Sequence, residues 1–178
     1  MKISKLMSIA FLVVMAAGCS EKKSNNSFLP GMYKLASIEN FDTATKQWTE
    51  DGLGKDGESY ILYDGVGHMA VHITSKDYKE FTWLPERHAT SKEFLDHYID
   101  SMPAEQLRPA LKKFASSFVY TANYTVNNDS GLVTHDRLSS SVPSVWGTQV
   151  KRRFAFSGDT LVLSFPNGAK RLKWLKLP

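Results

Sequence analysis

The sequence predicts a mainly β protein, an antiparallel up-and-down β-barrel with a short helical insertion at about residues 90–116. Short runs of β-branched and aromatic residues recur with a period of two, and turn-forming residues separate them closely. Only one interval changes to helical spacing. Strands joined by short turns pair as antiparallel hairpins, and closing the sheet removes its exposed edges. These observations favour a barrel over an open sandwich.

The strand runs follow one another along most of the chain. Each is bounded by Gly, Asn, Asp, Ser or Pro, which is typical turn chemistry. The sequence predicts strands at Tyr60–Tyr63, His68–Ile73, Phe118–Val126, Leu132–Ser139, Gln149–Phe156, Thr160–Phe165 and Lys170–Leu177.

The helical interval begins at Thr90, where Thr90 and Glu93 match a capping box. Pro103 suits the start of a second helix. The two helices present apolar stripes formed by Phe94, Leu95, Tyr98 and Ile99, and by Leu107, Leu111 and Phe114. The pair either plugs one end of the barrel or forms a lid over a ligand mouth, and the sequence leaves both roles open.

Several motifs, in their order and spacing, resemble the bacterial lipocalin-like domain family. Gly31–Leu35 resembles the Gly-x-Trp-x-Leu opening strand, with Tyr33 in place of tryptophan, and Tyr63–Met69 resembles the family's Tyr-x-x-x-Gly-x-Met hairpin. Further matches are Phe118–Tyr124, Val133–His135, Gly147–Leu163 and Lys173–Trp174. The resemblance covers most of the chain after residue 30 and implies a calycin-like barrel with short helices. It implies little about activity, because fold does not determine function.

The first residues have the features of a bacterial lipoprotein leader. Lys2 and Lys5 precede the apolar run Ile9–Ala17, which is too short to cross a bilayer core of about 30 Å as a helix. Met15–Cys19 resembles the lipobox, in which the cysteine is diacylated and becomes the new N-terminus. The resemblance implies lipidation at Cys19 and location in the cell envelope, on the outer membrane facing the periplasm if the host has two membranes. An ordinary secretory leader is the alternative.

This interpretation divides the chain into a leader (1–18), a lipidated cysteine with a polar tether (19–27) and one domain (28–178). Cys19 is the only cysteine, so disulfides within the domain are excluded and its stability depends on a hydrophobic core. Two or three acyl chains anchor a protein durably, whereas one holds it only marginally. We therefore expect the membrane to be a partner through the lipid anchor.

Composition and motifs argue against several functions. The formal charge of +4 falls by two when Lys2 and Lys5 leave with the leader, and basic residues do not form a face with interleaved aromatics, so nucleic acid is not expected as a partner. His68 and His72 would lie about 13 Å apart on a strand, too far to share a zinc ion. Serine-hydrolase elbows and glycine-rich phosphate loops are absent from the sequence. We expect no metal, no cofactor and no catalytic residues.

The strand alternation selects candidate binding residues. Val150, Arg152, Phe154 and Phe156 share one face of their strand, and this aromatic face must point inward, which places the Arg152 charge inside or at the rim of the barrel. Inward-facing positions on the other strands add tyrosines and a histidine. The predicted ligand-binding residues are Tyr63, Tyr120, Tyr124, His135 and Arg152.

This polar cluster has two interpretations. It either cross-links the barrel through internal hydrogen bonds, or it orients the head group of a small apolar or amphiphilic ligand, with Arg152 favouring an acidic head. The function favoured by the sequence is ligand binding by a membrane-anchored barrel. The alternatives are a non-enzymatic module with a solid barrel that binds an envelope protein, and a barrel-type cyclase or isomerase.

Overall fold

The computed structural model describes residues 29–53, 56–83 and 91–178. Within these ranges the chain forms nine strands and two α-helices. The strands are β1 (Gly31–Asp42), β2 (Gln47–Glu50), β3 (Tyr60–Tyr63), β4 (His68–Ile73), β5 (Phe118–Asn127), β6 (Leu132–Ser140), β7 (Gln149–Ser157), β8 (Thr160–Ser164) and β9 (Lys170–Lys176). The helices are α1 (Lys92–Asp100) and α2 (Ala104–Ser116).

All strand pairs are antiparallel, and the sheet closes on itself. Neighbours in sequence pair from β3 to β9, and β9 returns to β1, with Leu35 opposite Trp174 and Asn40 opposite Lys170. The closed barrel has eight strands, and the short β2 pairs only with the last residues of β1. The mainly β, up-and-down barrel predicted from the sequence is therefore confirmed, and β2 is a strand that the periodicity did not indicate.

The two ends of the barrel differ in their connections. At one end, tight turns join β3 to β4, β5 to β6 and β7 to β8, and the chain enters through the fully buried Leu29. We call this the closed end. The opposite end carries the connection with both helices, the segment between β2 and β3, and the loops from β6 to β7 and from β8 to β9. We call this the open end.

The turn from β3 to β4 shows how side chains fix the closed end. The Asp64 carboxylate accepts hydrogen bonds from the backbone N–H groups of Val66, Gly67 and His68, at 2.8, 3.0 and 2.9 Å. Slight desolvation raises its pKa, but these donors outweigh that effect and hold it at about 2. Gly65 has a φ of 84°, which suits glycine at a tight turn. The turn therefore fixes the register of β3 against β4.

Alternating residues of every long strand form the core. In β5 the inward residues Tyr120, Ala122 and Tyr124 are buried, whereas the intervening residues are exposed. Tyr33 and Trp174 are almost inaccessible and lie where the first and last strands close the barrel. On β7 the inward alternation holds for Val150, Arg152 and Phe154 but ends before Phe156, which is 40% exposed because it lies next to the turn.

The helical insertion lies beside the barrel wall. The Phe114 ring of α2 packs on Tyr78, whose ring in turn contacts His72 on the outer face of β4. Ser91, and not Thr90, accepts the capping hydrogen bond of α1 from the Phe94 N–H, so the helix start lies one residue later than the capping box predicts. Thr90 itself lies outside the described residues.

The predicted leader, Cys19 and the polar tether lie outside the described residues and stay predictions. Within the ranges that are described, neither helix has the length and apolar character needed to span a membrane.

Candidate functional site

The open end of the barrel contains a cavity of about 160 Å³. Its wall is mainly aliphatic, with contributions from nearly every strand of the barrel. The lining residues are Ile38, Leu53, Ile61, Val71, Ile73, Phe118, Tyr120, His135, Arg152, Leu163, Phe165, Lys170, Leu172 and Trp174. Both helices lie outside this lining, so within the described chain the insertion does not plug the cavity.

A buried hydrogen-bonded chain of three side chains lies between the cavity and the closed end. The Tyr63 hydroxyl lies 2.9 Å from Nε2 of His135, and the Tyr120 hydroxyl lies 2.8 Å from Nδ1 of the same ring. Strands β3, β5 and β6 supply the three residues, and their inward alternation brings the side chains together. Tyr120 and His135 line the cavity, whereas Tyr63 is packed below it.

His135 is neutral in the folded protein at neutral pH. Burial is the main cause that lowers the pKa of its imidazole, and together with the nearby Arg152 and Arg137 charges it brings the value to about 3. A neutral imidazole has one N–H donor and one acceptor nitrogen, so one tyrosine donates to the ring and the other accepts from it. Both nitrogens therefore have partners within the barrel.

Tyr124 belongs to the same buried region but not to the cavity wall. Its ring meets Tyr63 edge-on, with centroids 5.0 Å apart. The Tyr33 hydroxyl, close by, donates to the Leu29 carbonyl at 3.0 Å. Burial raises the pKa of Tyr63 well above its ordinary value, which keeps this phenol protonated. Tyr63 and Tyr124 thus support the closed end, while Tyr120 faces the cavity.

Arg152 brings a positive charge to the cavity wall. Its guanidinium carbon lies 3.8 Å from the centroid of the Phe165 ring, and its Nη1 donates to the Lys151 carbonyl at 3.0 Å. Burial lowers the pKa of Arg152. The ion pairs found among the described residues join other cations to carboxylates and leave Arg152 without an acidic partner there.

Two further residues belong to this region. Arg137 lies with its guanidinium 5.2 Å from the Tyr120 ring centroid and donates to the Thr148 hydroxyl at 2.9 Å. Trp174 is 1% exposed and lines the cavity, and its Nε1 has no hydrogen-bond partner among the described residues. From the sequence alone, packing is the expected role of Trp174. The pairing of the first and last strands was the one signal for its position.

The structure thus brings most of the predicted binding residues together. Tyr63, Tyr120 and His135 are in direct contact, Arg152 shares the cavity wall with two of them, and Tyr124 packs beneath. Asp136 points away from His135 to the exposed face, as the strand alternation predicts. Their role in binding a ligand stays a prediction.

Metal binding finds no support in the described part of the chain, where groups of three or more His, Cys, Asp or Glu residues do not come together. His68 is paired with Asp64 at the closed end, and His72 contacts Tyr78 on the outer surface. The two histidines are therefore engaged separately.

Comparison with known protein families matches residues 30–174 to the lipocalin-like domain. The match covers the chain from the residue before β1 to the tryptophan of β9, which includes the barrel, the helical insertion and the cavity. Searches of curated proteins and of solved structures found no match. With the closed barrel, the match establishes that this chain belongs to the lipocalin-like domain family.

Proposed function

We propose that this protein binds a small, mostly apolar or amphiphilic molecule in the cavity at the open end, without catalysing a reaction on it. A lipid anchor at Cys19 holds the barrel in the cell envelope, on the periplasmic face of the outer membrane in a host that has one. The cavity favours ligand binding over an interaction module with a solid barrel, because a solid barrel would have packed this volume with side chains.

The observation that carries the proposal is Arg152 on the cavity wall. A partly buried guanidinium is costly unless an acceptor compensates its lost hydration, and the described residues provide no carboxylate for it. Its contacts are a carbonyl and an aromatic face, which leave further N–H donors for a ligand to engage. A few polar groups in an otherwise apolar pocket are the usual means of orienting a ligand.

The same geometry argues against general acid–base chemistry at His135, whose pKa is lowered to about 3, mainly by burial. Each ring nitrogen is already within hydrogen-bond distance of a tyrosine hydroxyl. A general base must reach the proton of its substrate directly or through one water, so an imidazole held on both sides is poorly placed for that role. We therefore favour binding over a cyclase or isomerase activity.

The test is native mass spectrometry of a soluble form that begins at residue 20 and is exported in its own host behind an ordinary secretory leader. We expect a co-purifying small molecule that is retained in the Arg153→Ala variant and lost in Arg152→Ala. Arg153 is the matched control because it is the adjacent residue on the exposed face of β7. Protein without added mass, or equal retention in both variants, would contradict the proposal.

The anchor has its own test. Cells that carry the full-length chain are labelled with an alkyne analogue of palmitate and then fractionated. We expect label and membrane association in the wild-type protein, and loss of both in Cys19→Ser. Serine keeps the size of the side chain but removes the thiolate that accepts the lipid, so a labelled Cys19→Ser protein would refute anchoring at this residue.

A further inference from the structure

Two cavity-lining side chains carry polar groups that the described residues do not fully satisfy, and both groups are hydrogen-bond donors. Tyr120 and His135 are bonded to each other, and the Lys170 ammonium pairs with Asp51 at 2.7 Å. The remaining groups are the Arg152 guanidinium and the Trp174 indole N–H, which has no partner among the described residues although its side chain is 99% buried. Guanidinium and indole groups donate and do not accept. A ligand that satisfies both must bring acceptor atoms.

The electrostatic field in the cavity favours an anion. Arg152 lines the wall, and Arg137 lies against the Tyr120 ring on the same side of the barrel. The Lys170 charge is balanced by Asp51, whereas Arg152 has no carboxylate partner in the described residues. The two arginines also contribute to the low pKa of His135, in keeping with a positive potential at this part of the cavity wall. A negative head group would replace the missing counter-charge.

The volume limits the apolar part of the ligand. Apolar cavities of about 150 Å³ bind benzene, and drug-sized pockets usually exceed about 300 Å³. At about 160 Å³, this cavity accommodates one aromatic ring or a short aliphatic chain among Ile61, Val71 and Leu163. A long acyl chain would extend beyond it.

We infer that the ligand is a monocarboxylate with a benzene-sized apolar body, whose head group accepts hydrogen bonds from Arg152 and from the Trp174 indole. The inference rests on the proposed function and names its ligand class. Two acceptor oxygens match one guanidinium and one N–H, and planar arginine forks bind carboxylates well. A phosphate group, with a charge of about −1.5 to −2 and three strong acceptor oxygens, would leave acceptors without donors.

The first test compares ligands of one shape on the wild-type soluble form by titration calorimetry. The probes are benzoate, the neutral benzamide, phenylphosphate and toluene. We expect benzoate to bind at least tenfold more tightly than each of the others. Equal binding of benzamide or toluene would overturn the carboxylate assignment but leave the proposed function intact. If none of the four binds and native mass spectrometry finds no ligand, both proposals fail.

A second test locates the donors. Arg152→Met and Trp174→Phe remove the guanidinium and the indole N–H while they keep a long side chain and an aromatic ring. We expect each to weaken benzoate binding by tenfold or more and to leave toluene binding within threefold, whereas Arg153→Met changes neither. Benzoate binding that survives both substitutions would overturn the site.

The indole gives a readout of binding in the wild-type protein itself. The chain has four tryptophans, and the ¹H–¹⁵N signal of Trp174 is assigned by its absence in Trp174→Phe. We expect saturation with benzoate to move this indole signal downfield, as an N–H that gains an acceptor does, and to move the signal of the exposed Trp146 little. An unmoved Trp174 signal at saturation would exclude the indole as a ligand donor.

Chain length tests the size limit and separates small acids from long-chain acids. Each buried methylene adds about fourfold in affinity, so burying the six extra methylenes of dodecanoate would tighten binding on the order of a thousandfold relative to hexanoate. We expect less than a tenfold difference, because the cavity is filled by the shorter chain. A difference near a thousandfold would overturn the size limit and identify long-chain acids as the ligands.

Discussion

The closed and open ends of this barrel use the same strands but fill their interiors differently. Toward the closed end the inward residues are large, and Tyr33, Tyr63 and Leu29 are each buried to 99% or more. Toward the open end the wall is formed mainly by aliphatic residues, which surround about 160 Å³ of empty space. The circumference of the barrel is set by its eight strands, so side-chain volume decides which part of the interior is hollow.

The connections follow the same division. Three tight turns join the strands at the closed end, whereas the longer connections lie at the open end. The Tyr63–His135–Tyr120 chain lies at the boundary, with its first residue in the packed region and the other two on the cavity wall. The closed end therefore contributes stability, whereas the open end offers a binding surface and is less well packed.

The largest expected effect is on the free energy of unfolding, and it comes from truncating two core leucines of β8. Leu161 is inaccessible and does not line the cavity, whereas Leu163, two residues further on the same face, does. We expect Leu161→Ala to lower the free energy of unfolding by about 3–5 kcal/mol, and Leu163→Ala by about 2 kcal/mol. A side chain that borders a void has already lost contacts on one side, so its removal costs less.

Urea denaturation of the two variants measures the difference, and the exposed residue Leu138 provides a surface control. We expect Leu138→Ala to stay within about 0.5 kcal/mol of the wild type. If Leu163→Ala proved as costly as Leu161→Ala, the open end would be packed as densely as the closed end.

The next effect is the pH dependence that His135 imposes. The pKa of His135 is about 3 in the folded protein and about 6.5 in an unfolded chain. Below pH 6.5 the unfolded state therefore binds a proton that the folded state does not bind. Stability is therefore complete above about pH 7 and falls with decreasing pH toward pH 3, by up to about 1.4 kcal/mol per unit. Between pH 7 and pH 5 we expect a loss of about 2 kcal/mol from this residue.

The measurement is the free energy of unfolding at pH 5, 6 and 7, compared between the wild type and His135→Gln. This range lies above the depressed pKa values of Asp64, Asp51 and Glu39, whose contributions are lost only at lower pH. Glutamine has no titratable group, so the difference between the two proteins isolates His135. Parallel pH profiles would mean that the imidazole is not held neutral by the fold.

The barrel could be predicted from the sequence because the signals for it are local. Strict alternation on β5 and turn residues after β3 determine faces and hairpins without knowledge of distant contacts. The candidate residues on β5, β6 and β7 followed from the same alternation. The cavity did not, because it depends on which side chains from several strands meet at one level. Trp174 shows the difference, since it joins the cavity wall only through the pairing of β9 with β1.

The smallest effect is a difference of about 1–2 kcal/mol between two tyrosine variants, and it probes the boundary most sharply because one imidazole contacts both regions. In Tyr63→Phe, Nε2 of His135 loses its partner within packed core, and we expect a cost of about 2–3 kcal/mol for a buried polar atom left unsatisfied. In Tyr120→Phe, Nδ1 loses its partner beside the cavity, where a water molecule has room to replace the hydroxyl. We expect about 1 kcal/mol there, since a bridging water restores most of the bond.

Urea denaturation at pH 7.5, where His135 is neutral in both states, measures the two costs without a protonation term. Tyr60→Phe is the control because its hydroxyl bonds Glu58 on the outer surface, where we expect less than about 0.5 kcal/mol. Filling the cavity with a bound ligand should then raise the cost of Tyr120→Phe toward that of Tyr63→Phe, because the ligand excludes the water that compensates. Equal costs in the ligand-free protein would mean that water does not reach Nδ1, and the boundary between the packed and hollow halves would have to lie above Tyr120.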